Sequence, residues 1–439
     1  MSRVFILDPD CDGVALAMAC KLAGHDVRLW ISKIGGKRLP VADGLVTRVS
    51  DWEPSMAWAD LIILTSNSVF GAKLEPYFNK GFPIFGANQA GAALELDREL
   101  GCKVLKDCGV KTIPFKTFTS YQKAIDYVRE TGGTYVCKPW GGTSDKSLSY
   151  VSKSPSDMIF KLEKWKKLGM HGQFMLQEKV KGIEMCVAGW YGPGGWCEGI
   201  HEAFEHKKFM NDDIGCNTSE MGTVASYSKK SKLFDKVLKP LTSYLEKIKY
   251  VGNIDVNCMI DEEGVPWPLE FTSRFGWPDY YLCMALQEGD PVEWMLALLE
   301  GSDLLQPRYD EVCVGVVLTH GDFPWTAMDI EELSGFPLEG VKLKMKKHIY
   351  WGSVMKAPAP MMVDGKVLTV ETICTAGTYI GVVTGTGDSV SEAKERAYDI
   401  AWEIDLPSNL MFRTDIGDRL EKQLPELQKH GYAKNMVFK

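Results

Sequence analysis

The sequence predicts an α/β protein that divides into about three domains or subdomains. Apolar runs of strand length alternate with helix-like segments over roughly the first hundred residues, a pattern typical of a parallel sheet covered by helices. The chain has 439 residues, more than a single hydrophobic core normally serves. Its 45% hydrophobic and 25% charged residues are those of an ordinary folded protein, so several compact domains are expected.

The first elements in chain order predict an N-terminal three-layer α/β domain over residues 1–110. A polar turn at Asp8–Gly13 precedes an apolar-rich segment, Val14–Leu22, that suits a helix. Three apolar runs of this region predict strands: Val4–Leu7, Leu61–Leu64 and Pro83–Phe85. Because strands joined through helices pair in parallel, we expect a parallel sheet here.

The rest of the chain predicts a lid, a body and a C-terminal module. Residues 111–183 are expected to form a small α+β lid, with strands at Thr117–Phe118, Tyr135–Lys138, Ser149–Val151 and Phe174–Gln177. Residues 184–305 are expected to form the catalytic body, which includes an amphipathic helix near Leu233–Ile248. A block rich in Gly, Val and Thr, Gly377–Gly387, and a helix-like segment near Ser391–Ile400 predict a small β-rich module over residues 306–439.

Composition excludes several classes of function. Fifty basic and fifty-eight acidic residues give a net charge of -8, which argues against a nucleic-acid partner bound mainly through phosphate contacts. No apolar run approaches the roughly 20 residues of a membrane span, so we expect a cytoplasmic protein. The twelve cysteines contain no C-x-x-C pair, which disfavours a zinc ribbon or a redox motif and fits buried free thiols.

The most informative stretch is Pro268–Gly276. Side chains two apart in a strand point the same way, so Glu270 and Thr272 would share a face, with Arg274 close behind. A second apolar strand upstream carries Asp255. Carboxylates on neighbouring strands suit Mg²⁺ or Mn²⁺ bridged to phosphate oxygens. The alternative is a hairpin with solvated acids on its outer face.

Two further stretches are consistent with a nucleotide site. Lys138 ends an apolar strand and precedes a Gly-containing loop up to Lys146, an arrangement that suits a triphosphate, although a hairpin ending in an exposed lysine is the alternative. After an apolar strand come Gln177, Glu178 and then Glu184. An amide at the end of a strand can hydrogen-bond to the edge of a base, and a carboxylate further along the chain can hydrogen-bond to a ribose.

In this order and at these separations, the three stretches resemble the ATP-grasp superfamily, and within it the phosphoribosylamine–glycine ligase family. The resemblance implies that Arg98 and Lys138 bind the ATP phosphates. It implies an adenine hinge at Gln177, Glu178 and Val180, a ribose contact at Glu184, and metal ligands at Glu270, Thr272 and Asp255.

Two more segments extend the resemblance over roughly residues 60 to 425. The family's Asp-His-Lys-Arg loop and its Asn-Thr sequence are matched by Glu205-His206-Lys207-Lys208 and Asn217-Thr218, and its C-terminal motif by Phe412–Gly417. The resemblance implies substrate contacts at Glu205, His206, Lys207, Asn217 and Thr218, and catalytic roles for Arg274, Lys207 and Asn217.

The function that the resemblance implies is an ATP-dependent carboxylate–amine ligation through an acyl-phosphate. Glycine, phosphoribosylamine and ATP would give glycinamide ribonucleotide, ADP and phosphate, with Mg²⁺ or Mn²⁺ as metal. The implied architecture is an ATP-grasp fold with the domains given above. The expected partners are small molecules rather than nucleic acid or membrane, and the expected state is a monomer or a homodimer.

Departures from the family pattern leave two alternatives open. The family's Gly-x-Gly-Gly-Arg loop near the N-terminus is the acidic Asp8–Gly13 here, and three carboxylates repel a phosphate. The second metal ligand, Asn in the family, is Thr272, and Trp277 replaces an Asp. The chain could therefore use a different amine, or bind ATP without catalysis. Lys33, Lys37 and Arg38 offer another phosphate site.

Two other interpretations are weaker. His201 and His206 lie close to acids, yet no cysteine pair completes a tetrahedral zinc site in the sequence. The strand–turn–helix start is compatible with a Rossmann dehydrogenase, but the required Gly-x-Gly-x-x-Gly turn is missing. The sequence supports the ligase interpretation better than either of these.

Overall fold

A computed structural model of the protein describes residues 1–139, 149–170, 172–325 and 327–439. The loop that follows Lys138, predicted to contact phosphates, falls on 140–148 and lies outside the described residues. Among the described residues, no helix combines the length and the hydrophobicity needed to cross a membrane. All twelve cysteines are free, as the sequence predicts.

The N-terminal domain contains a parallel five-stranded sheet in the order β3-β2-β1-β4-β5. Its central strands are short and wholly apolar at their cores, which is typical of a parallel sheet covered on both faces. The elements are β1 (Arg3–Asp8), α1 (Val14–Leu22), β2 (Asp26–Ile31), β3 (Thr47–Arg48), α2 (Glu53–Met56), β4 (Leu61–Leu64), α3 (Glu75–Asn79), β5 (Ile84–Phe85), α4 (Gln89–Leu96) and α5 (Arg98–Asp107).

The lid contains a four-stranded antiparallel sheet in the order β6-β9-β7-β8. Its two helices bury apolar side chains together with the strands in a separate core. Ser120 caps the first helix, and Gly132 ends it in a left-handed conformation (φ 62°), which glycine adopts without a steric penalty. The elements are β6 (Phe115–Phe118), α6 (Tyr121–Thr131), β7 (Tyr135–Pro139), β8 (Tyr150–Val151), α7 (Pro155–Lys167) and β9 (Phe174–Glu178).

The body is built on a large antiparallel sheet, to which a small hairpin and several helices are attached. The predicted helix near Leu233–Ile248 was wrong as a continuous element. Pro240 lacks an amide hydrogen and interrupts it with a short 3₁₀ turn, Lys239–Leu241. The elements are β10 (Ile183–Gly192), β11 (Gly195–Trp196), β12 (Ile200–Glu205), β13 (Lys208–Met210), β14 (Ile214–Asn217), β15 (Gly222–Ser228), α8 (Lys232–Val237), α9 (Thr242–Lys247), β16 (Gly252–Ile260), β17 (Pro266–Thr272), α10 (Asp279–Ala285), β18 (Gln287–Glu288) and α11 (Pro291–Leu299).

The C-terminal segment completes this sheet and adds a three-stranded sheet of its own. Its elements are β19 (Gln306–Pro307), β20 (Val312–Thr319), α12 (Ile330–Leu333), β21 (Ser334–Pro337), β22 (Ile349–Trp351), β23 (Val354–Val363), β24 (Lys366–Ala376), β25 (Tyr379–Gly387), α13 (Val390–Ala401) and α14 (Leu420–Lys429). The large sheet runs β17-β16-β10-β12-β15-β20-β25-β22, with β11 beside β10. The module is thus joined to the body through the sheet itself.

Candidate active site

Three predicted phosphate and metal residues meet where the lid contacts the body. Lys138, near the end of β7, donates through Nζ to the carbonyl oxygen of Leu269 on β17 at 2.8 Å. Arg98, the first residue of α5, donates to the carbonyl oxygen of Pro139 at 2.6 Å, and its guanidinium lies 3.9 Å from the Glu270 carboxylate. Lys138, Arg98 and Glu270 therefore come together although 172 residues of sequence separate the first and last of them.

The electrostatics of this group favour an added anion. Burial lowers the pKa of Lys138, the neighbouring cations Arg98 and Lys207 lower it further, and Glu270 and Cys102 oppose the shift. The protonated form of Lys138 has too little negative charge around it. A bound phosphate would supply that charge and stabilise the protonated amine. The site therefore suits a polyanion better than a neutral ligand.

Lys207 links the predicted ribose and substrate acids. Its amine lies 2.8 Å from Glu184, 3.0 Å from Glu205 and 3.9 Å from Glu270. Burial alone would lower the pKa of Lys207, but these three carboxylates raise it well above the ordinary value. Asn257 donates to Glu205 at 3.0 Å and holds it in place. The amine of Lys207 is thus a permanent counter-ion in this structure.

We expect Lys207→Met to lower the free energy of unfolding by about 1–3 kcal/mol, because three carboxylates would lose their shared cation. Denaturant unfolding at pH 7 measures the loss. Lys208→Met is the matched control, since its exposed amine has only a 3.4 Å contact with a carbonyl oxygen. Equal losses in the two variants would contradict this account of Lys207.

Oxygen ligands line one face of the β16–β17 pair. Asp255 is directly opposite Thr272, and Asn257 is opposite Glu270. Thr272 hydrogen-bonds to Asp255, whose pKa is raised well above its usual range by burial and by the charge of Glu205. Among the described residues, the buried Oδ1 atoms of Asp255 and Asn257 have no hydrogen-bond partner. These oxygens, together with the half-exposed Glu270 carboxylate, are a donor set that fits a hard divalent cation.

Arg274 lies on another side of the site than the sequence suggests. Its Nε is 3.3 Å from Glu95 on α4, whose other carboxylate oxygen accepts from Asn67 and from the amide of Ser273 at 2.8 and 2.9 Å. Burial would lower the pKa of Arg274, but Glu95 and Asp12 raise it. Arg274 therefore faces the loops of the N-terminal domain, and Glu95 is a site residue that the sequence analysis missed.

The acidic loop after β1 is organised around Asp8. This fully buried carboxylate accepts from the amides of Asp12 and Gly13 at 2.9 and 2.8 Å and from the Thr65 hydroxyl at 2.8 Å. A side chain at Gly13 would approach the Thr65 methyl to 2.7 Å, so glycine is needed there. Amides that could hold an anion are thus already bound to the protein's own carboxylate.

Burial raises the pKa of Asp8 from 3.8 to about 6, although the three hydrogen bonds oppose the shift. A raised pKa means that Asp8 stabilises the fold below about pH 4 and that this contribution, about 3 kcal/mol, is lost as pH rises past 6. Asp8→Asn should therefore lose less stability than the parent between pH 4.5 and pH 7.5. Urea unfolding at both pH values measures this, with Asp310→Asn, at an exposed acid that does not act on Asp8, as control. If the free energy of unfolding changed with pH equally in the parent and in Asp8→Asn, ionisation of Asp8 would not be coupled to folding.

The hinge between lid and body carries the predicted adenine residues. Gln177 is buried in β9 between Phe115 and Val136 of the neighbouring strands. The exposed Glu178 donates its amide to the carbonyl oxygen of Pro114 at 3.0 Å. Glu178 and Val180 line a cleft of about 510 Å³, and Gln177 does not.

The predicted substrate loop is divided between exposed and structural residues. Asn217 is exposed at the end of β14. Thr218 donates its amide and hydroxyl to the carbonyl oxygen of Lys207 at 2.8 and 3.0 Å, and so positions that lysine. The buried Nε2 of His206 accepts from the amide of Gly417 at 3.1 Å, and burial lowers the pKa of His206 to about 3. His206 therefore anchors the C-terminal tail as a neutral side chain.

Known proteins share both sequence and fold with the chain. Residues 97–280 match a family model described as phosphoribosylglycinamide synthetase, ATP-grasp (A) domain. The phosphoribosylamine–glycine ligase of Vibrio vulnificus (strain YJ016) is 27% identical over 358 residues, 79% of this chain and 80% of the relative.

Solved structures confirm the ATP-grasp fold predicted from the sequence. The phosphoribosylamine–glycine ligase of Thermotoga maritima superposes with a TM-score of 0.70 at 21% identity, over 94% of this chain and 100% of that chain. The ADP complex of an N5-carboxyaminoimidazole ribonucleotide synthetase superposes with a TM-score of 0.60 at 14% identity, over 92% and 97% of the two chains. Together with the matched domain and the Vibrio vulnificus relative, they show that the chain has the ATP-grasp fold and is similar to phosphoribosylamine–glycine ligases over most of its length.

Proposed function

We propose that the chain is an ATP-dependent ligase that joins the carboxyl group of glycine to the amine of phosphoribosylamine. The observation that carries the proposal is the meeting of Arg98, Lys138 and Lys207 around the Glu270 carboxylate. Three cations beside one metal-competent acid suit the phosphates of ATP, and the similarity to phosphoribosylamine–glycine ligases supports the two remaining substrates.

The proposed reaction has two steps. An oxygen of the glycine carboxylate attacks the γ-phosphorus of ATP, the bond to the bridging oxygen breaks, and ADP leaves. The amine nitrogen of phosphoribosylamine then attacks the carbonyl carbon of the acyl-phosphate, phosphate leaves with the bonding electrons, and the amine loses a proton. Arg98 and Lys138 would hold the phosphate oxygens in line, because positioning and charge neutralisation dominate phosphoryl transfer.

The remaining site residues are assigned by geometry and family. Glu270 with Asn257 and Asp255 would hold the divalent metal ion, Mg²⁺ by preference, which neutralises phosphate charge when bound. Thr272, whose hydroxyl is committed to Asp255, would act beside them. Glu184 would contact the ribose. Residues that would face adenine or the acceptor are Gln177, Glu178, Val180, Glu205, Asn217 and Arg274.

The deciding experiment follows ADP release with ATP, Mg²⁺, glycine and freshly generated phosphoribosylamine. The proposal expects release that requires both glycine and phosphoribosylamine, with glycinamide ribonucleotide detected by mass spectrometry. Omitting either substrate is the control. ATP binding without turnover in any mixture would contradict the proposal and indicate an inactive relative. The proposed setting is the cytoplasm, and a monomer or homodimer remains the prediction for the assembly.

One observation favours a different amine as second candidate. The resemblance assigns the loop after β1 to the phosphate of the acceptor. In this chain the amides of Asp12 and Gly13 in that loop donate to the carboxylate of Asp8. Two of the three nearby basic residues are already paired, since Lys37 lies 3.4 Å from Glu331 and Arg38 forms an ion pair with Asp43. Glycine-dependent ADP release with amines that lack a phosphate, and none with phosphoribosylamine, would establish this candidate and overturn the first.

A further inference from the structure

Three metal-ligating side chains from separate elements meet inside the body. His201 lies on β12, and Asp279 and Cys283 lie one helical turn apart on α10. One potential ligand atom of each residue lies within 4.8 Å of those of the other two, and Nδ1 of His201 is 3.2 Å from the Asp279 carboxylate. We propose that these residues, the buried triad, bind one divalent transition-metal ion of the zinc type.

Hydrogen-bond accounting supports an ion in the triad. His201 is 1% exposed, and within the described part of the chain neither ring nitrogen has a hydrogen-bond partner. The 3.2 Å approach to Asp279 is close enough for an ion pair but is not aligned for a hydrogen bond, and Oδ1 of Asp279 is also buried without a partner there. Each such group costs about 1–3 kcal/mol. A bound ion would satisfy a nitrogen and a carboxylate oxygen at once.

The thiol of Cys283 is buried next to His201 and Tyr227. Burial raises the pKa of Cys283, and the neighbouring His201 and Tyr227 oppose that shift. The phenol oxygen of Tyr227 accepts from the indole nitrogen of Trp190 at 3.2 Å and from the side-chain amide of Gln287. A bound dication would offset the cost of burying the thiolate, which is the form that binds metal.

Charge and ligand type point to zinc rather than to the metal of the ATP site. A dication with one thiolate, one carboxylate and one neutral imidazole has no net charge, so burying the loaded site avoids the cost of an isolated ion. Sulfur and nitrogen ligands suit zinc-type ions, whereas Mg²⁺ prefers oxygen alone. Bonds of about 2.0–2.3 Å require the side chains to close by about 1 Å.

The ion would connect the central sheet to α10. This helix follows directly on Arg274 and Trp277, and Trp277 donates through its indole nitrogen to the carbonyl oxygen of Thr65 at 3.1 Å. Holding the start of α10 against β12 would therefore fix the segment that reaches the N-terminal domain. The role is structural, and it stands whether or not the proposed ligase activity is correct.

The test is metal content of the full-length, untagged protein. We expect about one zinc ion per chain by plasma mass spectrometry after dialysis. Unfolding, removal of metal and refolding with Co²⁺ should give an intense thiolate-to-cobalt charge-transfer band. Both signals should fall at least about tenfold in Cys283→Ser and in His201→Asn. Cys374→Ser, which removes another fully buried thiol, is the matched control and should keep them.

The parent protein alone can overturn the proposal, so a variant that fails to fold does not obscure the answer. A parent that holds no stoichiometric zinc as purified, and shows no cobalt charge-transfer band after refolding, would reduce the triad to a buried ion pair between His201 and Asp279. Equal metal loss in Cys374→Ser and Cys283→Ser would place the metal elsewhere and would also overturn it.

Discussion

Glu270→Gln should abolish turnover while leaving the fold intact. The carboxylate lies 3.9 Å from both Arg98 and Lys207 and faces the predicted metal position. Gln keeps the shape but removes the charge, and a metal ion that neutralises phosphate oxygens contributes several kcal/mol to the transition state. We therefore expect kcat for ADP release to fall at least about 10³-fold. Steady-state ADP release at saturating substrates measures it.

The control separates catalysis from stability. Glu270 is 39% exposed, so its neutralisation should change the melting temperature of the nucleotide-free protein little. Glu395→Gln neutralises an exposed acid on α13, away from the cleft, and should leave both activity and melting unchanged. A large drop in the melting temperature of Glu270→Gln without nucleotide would instead identify Glu270 as a structural residue.

Elements with a strong local pattern could be predicted from the sequence. The helix Val14–Leu22 and the strand Leu61–Leu64 have the bounds that their apolar runs indicate. The side chains of each segment specify its structure, since a continuous apolar run between turn residues is compatible with few other secondary structures. The helix expected near Leu233–Ile248 failed for an equally local reason, because the effect of Pro240 was underestimated.

Long-range pairing could not be predicted in the same way. The sequence suggested a C-terminal module of its own, yet β20, β25 and β22 extend the sheet of the body. Strand order depends on which edges meet in three dimensions, and a single sequence contains no direct record of those contacts. The predicted domain boundaries therefore remain predictions, although the fold class is confirmed.

The candidate site shows the same division. Glu270 and Asp255 could be predicted as metal ligands because alternate polar residues in an apolar strand are visible locally, and their role stays a prediction. Glu95 was missed, since nothing near it in sequence indicates that it pairs with Arg274, 179 positions later. Cys283 could not be predicted as a neighbour of His201 for the same reason, because 82 positions separate them and no local motif connects them.

Lys138→Ala should weaken ATP binding by one to two decades in Kd. The amine is desolvated and lies among other cations, with one hydrogen bond to the carbonyl oxygen of Leu269. A bound phosphate would accept a charge-assisted hydrogen bond from this amine. Losing such a bond costs about 1.5–3 kcal/mol. Calorimetric titration with a non-hydrolysable ATP analogue in the presence of Mg²⁺ measures the change.

The specificity of the effect depends on where the charge is removed. Lys116→Ala deletes a lysine of the same lid sheet whose amine lies over the ring of Tyr127 at 4.4 Å, so it lowers the net charge equally without touching the proposed phosphate site. Its affinity should stay within about twofold of the parent, because a remote exposed charge is largely screened by salt. If Lys138→Ala binds the analogue as tightly as Lys116→Ala does, the amine of Lys138 does not contact phosphate, and the nucleotide must be held by Arg98 and the remaining cations.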